Sequence, residues 1–376
     1  MRRLRAVHLQ HVQHAGRHAL RGLRGEGAGE CTGRCGFWRP AERSGEGTGL
    51  RRVSADLSPL GLAVGHATDE QGATGLTVVR GVSTAFRCAA VVIGRATGTR
   101  ELHTASPFHL VDRVDAVVLT GGSAYGLDAT AGAMRWMEER GRGHPVGMGV
   151  VPIIPAAVIF DLAPLGSFSA RPTPDMAYAA CDSGTSADIA EGSVGAGTGA
   201  TVGKAAGIAG AMKGGVGVGS AEAAGVRVGA VAVVNALGDV RDAHGAIIAG
   251  ARDASGRFVD GARLIAAGGV ARKFDDRALR NTTIAVVATS ATLSRVELSQ
   301  LAQASSAALF KRITPTGTSF DGDVIFAVCP LDGPPAPAPQ VEGIAVAALE
   351  EAVERAVRLA VGREGIPGLA DREARR

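Results

Sequence analysis

A threonine stands at the point where a charged loop runs into an apolar strand. Residues 273–281 read KFDDRALRN, and the run TIAVVAT at 283–289 has the β-branched, apolar character of a buried strand. Thr282 lies between them. Its hydroxyl becomes a good nucleophile only beside a base, and a threonine at a strand end is also an ordinary strand former or turn residue. Residue type alone leaves both interpretations open.

Two carboxylates precede a second apolar strand further along the chain. The segment SFDGDVIF places Asp321 and Asp323 on either side of a glycine, directly before VIFAV at 324–328. Residues i and i+2 of an extended chain face the same side, so both carboxylates are predicted to point into one small volume. The pair repels unless hydrogen bonds or a cation compensate it, and Lys204 or Lys213 offers that charge. A turn that caps the strand and a hard-cation site are the other interpretations.

Glycine is concentrated in the middle of the chain, in GSVGAGTGATVGKAAGIAGAMKGGVGVG at 192–219. The stretch does not match a P-loop, because Thr198 stands where glycine is required and Ala205 follows Lys204 where serine or threonine is required. Its alternating glycines also lack the spacing and the acidic partner of a dinucleotide-binding fingerprint. No nucleotide is therefore predicted. Tight packing of turns is the structural interpretation that remains.

Strand and helix patterns alternate from residue 57 onward. Apolar, β-branched runs predict strands at 90–94, 116–120, 226–235, 283–289 and 324–328. Because these runs are separated by helical patterns without a repeat, the chain is predicted to be α/β.

Three helices are predicted between or after these strands. Ser294 and Glu297 have capping-box spacing and predict a helix start. The residues expected on its inner face are Val296, Leu301, Ala304 and Ala308. An earlier helix follows Gly126, with the apolar residues Leu127, Ala131, Met134 and Met137 at helical spacing. The last helix is predicted at about 344–361, after a stiff PPAPAP connector at 334–339.

The chain resembles the aminopeptidase/D-esterase family, which includes β-peptidyl aminopeptidases and the nylon-oligomer endo-hydrolase. The likeness runs from about Leu60 to Val361. It is carried, in order, by LTGGSAYGLDATAGAMRWMEE, VPIIPAAVIFDL, VGAGTGATVGK, AMKGGVGVGS, NALGDVRDAHGAIIAGAR, NTTIAVVAT and SFDGDVIFAV. The resemblance implies an αββα four-layer sandwich like that of N-terminal-nucleophile hydrolases. It also implies one chain that cuts itself into an α and a β subunit.

Site residues follow from this resemblance position by position. Asn281-Thr282 is similar to the cleavage junction, so that the α subunit would end at Asn281 and the β subunit would begin with Thr282 as nucleophile. Several aminopeptidase members use Ser after Gly instead, so the Asn-Thr junction favours the threonine branch of the nylon-oligomer hydrolase. The other active-site residues that the resemblance implies are Lys204, Asn235, Asp321 and Asp323. Tyr125, where many relatives carry Phe, either lines the substrate pocket or is a core aromatic.

The implied chemistry suits a chain-terminal threonine. Such a residue carries its own base, an α-amine with a pKa of about 7.7–8.0, so cleavage creates the catalyst. Before cleavage the Thr282 hydroxyl would attack the Asn281 carbonyl, and afterwards a substrate amide or ester. Asn235 and backbone amides would hold the oxyanion. The paired carboxylates would orient the ammonium and hydroxyl, with Lys204 offsetting their charge. Neither a cofactor nor a metal is predicted.

Two other functions remain open. An acyltransferase of the ornithine acetyltransferase type would share the acyl-enzyme and differ only in its acceptor. An uncleaved small-molecule binding or scaffold protein is favoured if folding has been altered by the leader or by the segment at 81–100, which departs from the pattern expected of relatives. For the hydrolase, the expected partner is a small peptide, an amino-acyl amide or an ester.

Charge and composition set the remaining expectations. The formal net charge is +4, but the first 52 residues hold eleven Arg and four Glu, which leaves a net charge of −3 for the rest. We therefore predict no nucleic-acid binding, a disordered or mistranslated basic leader over 1–56, and a single hydrolase domain over 57–376. The sequence shows no secretory signal or membrane-spanning run, and Cys88, Cys181 and Cys329 are expected to be buried free thiols. A cytoplasmic homo-oligomer of processed αβ units is predicted.

Overall fold

A computed structural model describes residues 49–53, 55–269 and 281–373 of the chain. The strands, in chain order, are β1 (Arg51–Arg52), β2 (Leu62–Asp69), β3 (Thr74–Gly81), β4 (Phe86–Val92), β5 (Thr99–Arg100), β6 (Ala116–Thr120), β7 (His144–Pro145), β8 (Val150–Val151), β9 (Ala156–Val158), β10 (Thr201–Val202), β11 (Met212–Lys213), β12 (Gly215–Ala223), β13 (Val226–Asn235), β14 (Asp239–Arg241), β15 (Ile247–Ala249), β16 (Thr282–Thr289), β17 (Ile313–Thr314) and β18 (Val324–Pro330). The helices are α1 (Thr130–Glu138), α2 (Pro174–Asp182), α3 (Gly261–Ala266), α4 (Arg295–Arg312), α5 (Ala338–Arg358) and α6 (Ala370–Glu373).

Two large sheets contain most of the long strands. Sheet I has the order β1-β12-β13-β16-β18-β4, and sheet II has the order β2-β3-β6-β9-β5. Within sheet I the central pair β16 and β18 is parallel, whereas β13 runs antiparallel to β16. Parallel neighbours begin at the same edge of a sheet, and an antiparallel neighbour ends there. The start of β16, the start of β18 and the end of β13 therefore meet at one edge of sheet I.

Strand residues alternate between separate apolar cores. On β16, Ile284 and Val286 belong to the core between the two sheets, together with Leu119 of β6. Ala285 and Val287 belong to a second core, beneath α4 and α5. A third core joins sheet II to α1 and α2. The three cores separate four layers, in the order helices, sheet I, sheet II and helices. This is a four-layer αββα sandwich, which confirms the predicted fold class.

Alternate glycines on β12 allow α5 to pack directly on sheet I. Val216 and Val218 face the core between the sheets, so Gly215, Gly217 and Gly219 face the helix. A Cβ on any of these three glycines would lie 2.0–2.4 Å from a backbone oxygen of α5. This part of the glycine-rich stretch is thus needed for close packing, as the structural interpretation of the sequence expects.

Adding a single methyl group at Gly217 is expected to lower the free energy of unfolding by about 1–3 kcal/mol. The new carbon of Gly217→Ala would lie 2.0 Å from the Ala352 carbonyl oxygen and 2.4 Å from the Ala356 nitrogen, and these backbone atoms cannot move independently of α5. In the control Gly343→Ala, inside α5, nothing lies within 4 Å of the added carbon, so stability should rise by up to about 1 kcal/mol. Urea denaturation checks both changes, and equal effects would contradict the packing argument.

The start of α4 confirms one sequence prediction and corrects another. Ser294 and Glu297 form the predicted capping box. Val296, predicted to face inward, is 60% exposed, because it lies on the same helical row as the exposed Gln300 and Gln303. The buried face comprises Leu298, Leu301, Ala302, Ser305, Ser306, Ala308, Leu309 and Arg312.

The other two predicted helices differ at their boundaries. Helix α5 begins at Ala338, inside the predicted connector, because proline is accepted in the first turn of a helix, where its missing N–H would be unpaired anyway. Helix α1 begins at Thr130 after a 3₁₀ helix at Ser123–Ala129, and Ala131, one of the four apolar residues at the predicted helical spacing, is exposed. Met137, another of these four residues, is buried, together with Trp136.

The described part of the predicted leader joins sheet I. Arg51 pairs with Glu222 and Arg52 with Ala221 on β12. Leu57, the first residue after the predicted leader, is buried between the sheets. Residues 1–48 and residue 54 lie outside the described residues, so the predicted disorder of the leader stays a prediction. Among the described residues, Cys88, Cys181 and Cys329 are free thiols and are buried, as predicted. Over the described ranges, no helix combines the length and apolar character needed to cross a bilayer.

Candidate active site

The Asn281-Thr282 junction lies at the edge of sheet I where β16 begins. Thr282 is buried and pairs in register with Asn235, the last residue of β13. Its Oγ1 donates a hydrogen bond of 2.6 Å to the carbonyl oxygen of Asn281. The backbone N–H of Gly322 donates to the same oxygen at 2.9 Å. Two donors on one carbonyl oxygen polarise that carbonyl and favour negative charge on its oxygen.

Gly322 is a site residue that the sequence prediction passed over. An added Cβ there would lie 2.8 Å from Thr282 Oγ1 and 2.6 Å from the Ala96 carbonyl oxygen, so any other residue would displace the hydroxyl or the neighbouring chain. The glycine between two aspartates was the available signal. The segment at 81–100, noted for its departure from the pattern of relatives, contributes Ala96 to this wall, and the Ala96 N–H donates to the Asp321 carbonyl.

Asp321 and Asp323 lie just before β18, next to the junction. Asp321 and Asn281 form an isolated parallel β-bridge, and Asp321 Oδ2 accepts the Thr318 N–H at 2.8 Å. Asp323 Oδ1 accepts the Thr283 N–H at 2.6 Å, one residue from the junction nitrogen. Its other oxygen, Oδ2, accepts the Thr316 hydroxyl and the Gly317 N–H, at 2.9 and 3.2 Å. Backbone and hydroxyl donors thus hold the acidic pair that the resemblance places at the nucleophile.

Burial raises the pKa of both carboxyl groups. For Asp323 the negative charge of Asp321 raises the pKa further. Both carboxylates accept hydrogen bonds from residues 316–318, in agreement with the common orientation that the i, i+2 spacing predicts. For Asp321 the hydrogen bonds from Thr318 and the charge of Lys204 oppose the effect of burial. Within the described ranges, no third carboxylate, imidazole or thiolate joins them in a group that could hold a metal ion.

Lys204 and Asn235 meet beside the junction. Lys204 Nζ donates to the Asn235 side-chain oxygen at 2.8 Å and to its backbone oxygen at 3.1 Å. Burial lowers the pKa of Lys204 to about 7, although the negative charge of Asp321 opposes that shift. A lysine with this pKa exchanges protons near neutral pH. Asn235 also accepts the Thr201 N–H at 3.0 Å through Oδ1, and its Nδ2 donates to the Phe160 carbonyl at 3.1 Å.

Lys213, the other lysine considered for the acidic pair, serves a different segment. Its Nζ donates to the carbonyl oxygens of Thr198 and Ala200, each at 2.7 Å. Burial lowers its pKa, and the carboxylates that oppose this shift are Asp161 and Glu70. Lys213 therefore fastens the chain that leads into β10. Of the two candidates, Lys204 is the one that interacts with Asp321.

Tyr125 lies on the sheet II side of the molecule, in the 3₁₀ helix that follows β6. The residue is 54% exposed, so the core interpretation is wrong. The guanidinium of Arg171 stacks on the ring, 3.5 Å from its centroid. A role in lining the pocket stays a prediction.

Removing the charge of Asp323 is expected to flatten the pH dependence of stability. Its pKa is raised above the ordinary 3.8, so the folded chain binds more protons than the unfolded chain above that pH. The stability contributed by this group is complete below the ordinary pKa and is lost as pH rises toward the raised pKa. Urea midpoints of Thr282→Ala and Thr282→Ala/Asp323→Asn, measured from about pH 4 to 7, should fall less steeply in the double variant. Parallel curves would contradict the raised pKa.

The chain is similar in sequence to known peptidases and amide hydrolases. Residues 59–366 match the profile of Peptidase family S58. The chain is 41% identical over 298 residues to an uncharacterized aminopeptidase of Mycobacterium leprae, covering 73% of this chain and 79% of the relative. It is 31% identical over 281 residues to the 6-aminohexanoate-oligomer endohydrolase of Paenarthrobacter ureafaciens, covering 71% and 72%. The sequence matches therefore include an aminopeptidase and an amide-oligomer endohydrolase, in agreement with the resemblance.

Solved structures of low sequence identity share the fold. The L-aminopeptidase D-Ala-esterase/amidase of Ochrobactrum anthropi, described as a variant of the Ntn hydrolase fold, aligns with a TM-score of 0.62 at 19% identity, over 85% of this chain and 92% of that one. A Burkholderia β-aminopeptidase aligns with a TM-score of 0.59 at 19% identity, over 82% and 88%. From its sequence matches, the chain belongs to peptidase family S58 and is a hydrolase of peptide or other amide bonds.

Proposed function

We propose that the chain cuts itself between Asn281 and Thr282 and then uses Thr282 as an N-terminal nucleophile in an aminopeptidase or amide-oligomer hydrolase. One observation carries the proposal. The Thr282 hydroxyl lies 2.6 Å from the oxygen of the carbonyl that precedes it, and the Gly322 N–H binds the same oxygen. A nucleophile, its target and a donor for the developing negative charge are thus already together in the continuous chain.

Self-cleavage then takes place in two steps, transfer of the acyl group to the Thr282 hydroxyl and hydrolysis of the resulting ester. Thr282 Oγ1 bonds to the Asn281 carbonyl carbon, the carbon–nitrogen bond to Thr282 breaks, and the hydroxyl proton ends on the departing nitrogen. Water next hydrolyses the ester, which leaves a carboxylate on Asn281 and restores the Thr282 hydroxyl. Lys204 is the candidate proton carrier, because a pKa of about 7 makes both of its forms available near neutral pH.

Turnover repeats the same chemistry on a substrate. The new α-amine, with a pKa of about 7.7–8.0, takes the proton from Oγ1 as the hydroxyl attacks a substrate carbonyl, and water then releases the acyl group. The Gly322 N–H is placed to stabilise the oxyanion. Asn235, for which the resemblance implies the same role, also accepts a hydrogen bond from Lys204 Nζ and donates one to the Phe160 carbonyl, so it holds Lys204 in place as well. The homo-oligomer and the cytoplasmic location stay predictions.

N-terminal sequencing of the purified wild-type protein tests the proposal. We expect a β chain that begins Thr-Thr-Ile-Ala and hydrolysis of amino-acyl p-nitroanilides. Adding an amine acceptor separates hydrolase from acyltransferase: acyl release without the amine supports the hydrolase, whereas release that depends on it supports the transferase. An uncut chain that still hydrolyses the substrate would overturn the mechanism, and an uncut, inactive chain would favour a binding or scaffold protein.

A further inference from the structure

An arginine with aromatic neighbours lies on the loop between β9 and α2. The guanidinium of Arg171 is 3.5 Å from the ring centroid of Tyr125 and 5.8 Å from that of Phe168. Both aromatic residues are exposed, Tyr125 by 54% and Phe168 by 58%. Stacking on a ring covers a face of the planar guanidinium and leaves its N–H donors in the plane, where a carboxylate binds in bidentate fashion.

Within the described ranges Arg171 has no carboxylate partner, and its Nε is buried without a hydrogen-bond partner. Arg135 makes a useful comparison, because it also stacks on a tyrosine, Tyr178 at 4.8 Å, but it is paired with Asp175 at 2.9 Å. A buried donor left unpaired is unfavourable, and an acceptor that reaches it gains a charge-assisted hydrogen bond. Arg171 is therefore prepared for an anion that the described part of the chain does not supply.

The backbone after β9 connects this arginine to the edge where the nucleophile lies. Asn235, the register partner of Thr282, donates to the carbonyl of Phe160, two residues beyond β9. The next residue, Asp161, accepts the Gly122 N–H at 2.6 Å. The junction and the turn that precedes Tyr125 are thus linked by two consecutive residues of one loop.

The residues that follow Arg171 hold it beside that turn. Pro172 packs closely against Gly122, and a Cβ added to this glycine would lie only 2.9 Å from the proline ring. Thr173 caps α2, its hydroxyl accepting the Met176 N–H. Arg171 therefore extends from a segment held between a tight turn and a helix start, which is the kind of support that a binding residue needs.

We propose that Arg171, stacked on Tyr125, binds the free carboxylate of the substrate on the leaving-group side of the scissile amide. The inference rests on the proposed function of Thr282. In a linear peptide or amino-acid oligomer, the acyl part is transferred to the nucleophile and the free carboxylate always belongs to the amine that leaves. The preferred substrate class is then a short linear amide with an ionised carboxyl end, in preference to the same amide with a neutral end.

The test compares alanyl-alanine and the linear 6-aminohexanoate dimer with their terminal carboxamides. Wild-type kcat/KM should favour the acid over the amide by about tenfold to a hundredfold, the effect of one charge-assisted hydrogen bond. Arg171→Gln should bring that ratio close to one by raising KM for the acid, while the amide is cut as before. Arg171→Lys should retain part of the preference, since it keeps the charge without the planar donors.

Arg135→Gln is the matched control, because it removes an arginine that stacks on a tyrosine but already has its carboxylate. It should keep the wild-type ratio. An acid-to-amide ratio that is the same in wild type and Arg171→Gln would overturn the inference, as would equal loss on both substrates. If every protein stays uncut and inactive, the proposed function has failed, and calorimetric binding of the same acid and amide to wild type and Arg171→Gln then decides the inference.

Discussion

Replacing Thr282 by Ala is expected to leave the chain as a single 38.0 kDa polypeptide and to abolish amide hydrolysis. One oxygen atom serves both steps, so its removal stops the cut and also removes the nucleophile. Loss of a nucleophile that works with a base costs roughly 10⁴–10⁶ in rate. Denaturing mass spectrometry measures the first effect and release of p-nitroaniline the second.

The neighbouring Thr283 supplies the matched control. It is equally a buried threonine, and its Oγ1 is without a hydrogen-bond partner in the described structure. Thr283→Val should therefore be cut before residue 282 and should stay active. Thr282→Ser keeps a hydroxyl at the same place and should still be cut. Cleavage of Thr282→Ala, or loss of cleavage only in Thr283→Val, would show that Thr282 is not the nucleophile.

Replacing Lys204 by Met is expected to slow self-cleavage by about 10²–10⁴, the usual contribution of a positioned acid or base. The pKa of Lys204 is lowered to about 7, so the neutral amine that accepts a proton becomes the major form above that pH. Wild-type cleavage should accordingly become faster as pH rises through about 7, and the variant should lose this dependence. The rate is followed on gels after a pulse of cell-free synthesis at a series of pH values.

Lys213→Met tests whether burial of any lysine produces the same effect. Burial also lowers the pKa of Lys213 to about 7, but its Nζ contacts the Thr198 and Ala200 carbonyls. This variant should lose stability and should keep the wild-type pH dependence of cleavage. A Lys204→Met chain that is cut as fast as wild type, with the same rise through pH 7, would exclude the proposed proton carrier.

Much of sheet I could be predicted from the sequence because its strands are continuous apolar runs. The strand at 226–235 was predicted with both of its ends, and the strand predicted at 283–289 begins one residue earlier. Helix faces were harder to predict. Val296 is apolar, but it lies in the first turn of α4, and Gln300 and Gln303 continue its row along the helix. This row faces solvent, which the apolar character of Val296 alone does not indicate.

The candidate site divides in the same way. The joint orientation of Asp321 and Asp323 follows from strand periodicity, a purely local property. The meeting of Lys204 with Asn235 rested on resemblance alone, because it depends on how distant segments fold together. The Gly322 N–H on the Asn281 carbonyl depends on the parallel pairing of β16 and β18, which no local pattern specifies. The stacking of Arg171 on Tyr125 also joins distant parts of the sequence, which no local pattern indicates.

The most direct test of the central claim is to identify the residue that carries the acyl group during turnover. The purified protein is mixed with an amino-acyl p-nitroanilide, quenched in acid within the first turnover, digested and analysed by mass spectrometry. We predict an added acyl mass on the peptide that begins with Thr282, and none in Thr282→Ala. An acyl group on any other residue, or steady hydrolysis by a chain still joined at Asn281-Thr282, would contradict the account.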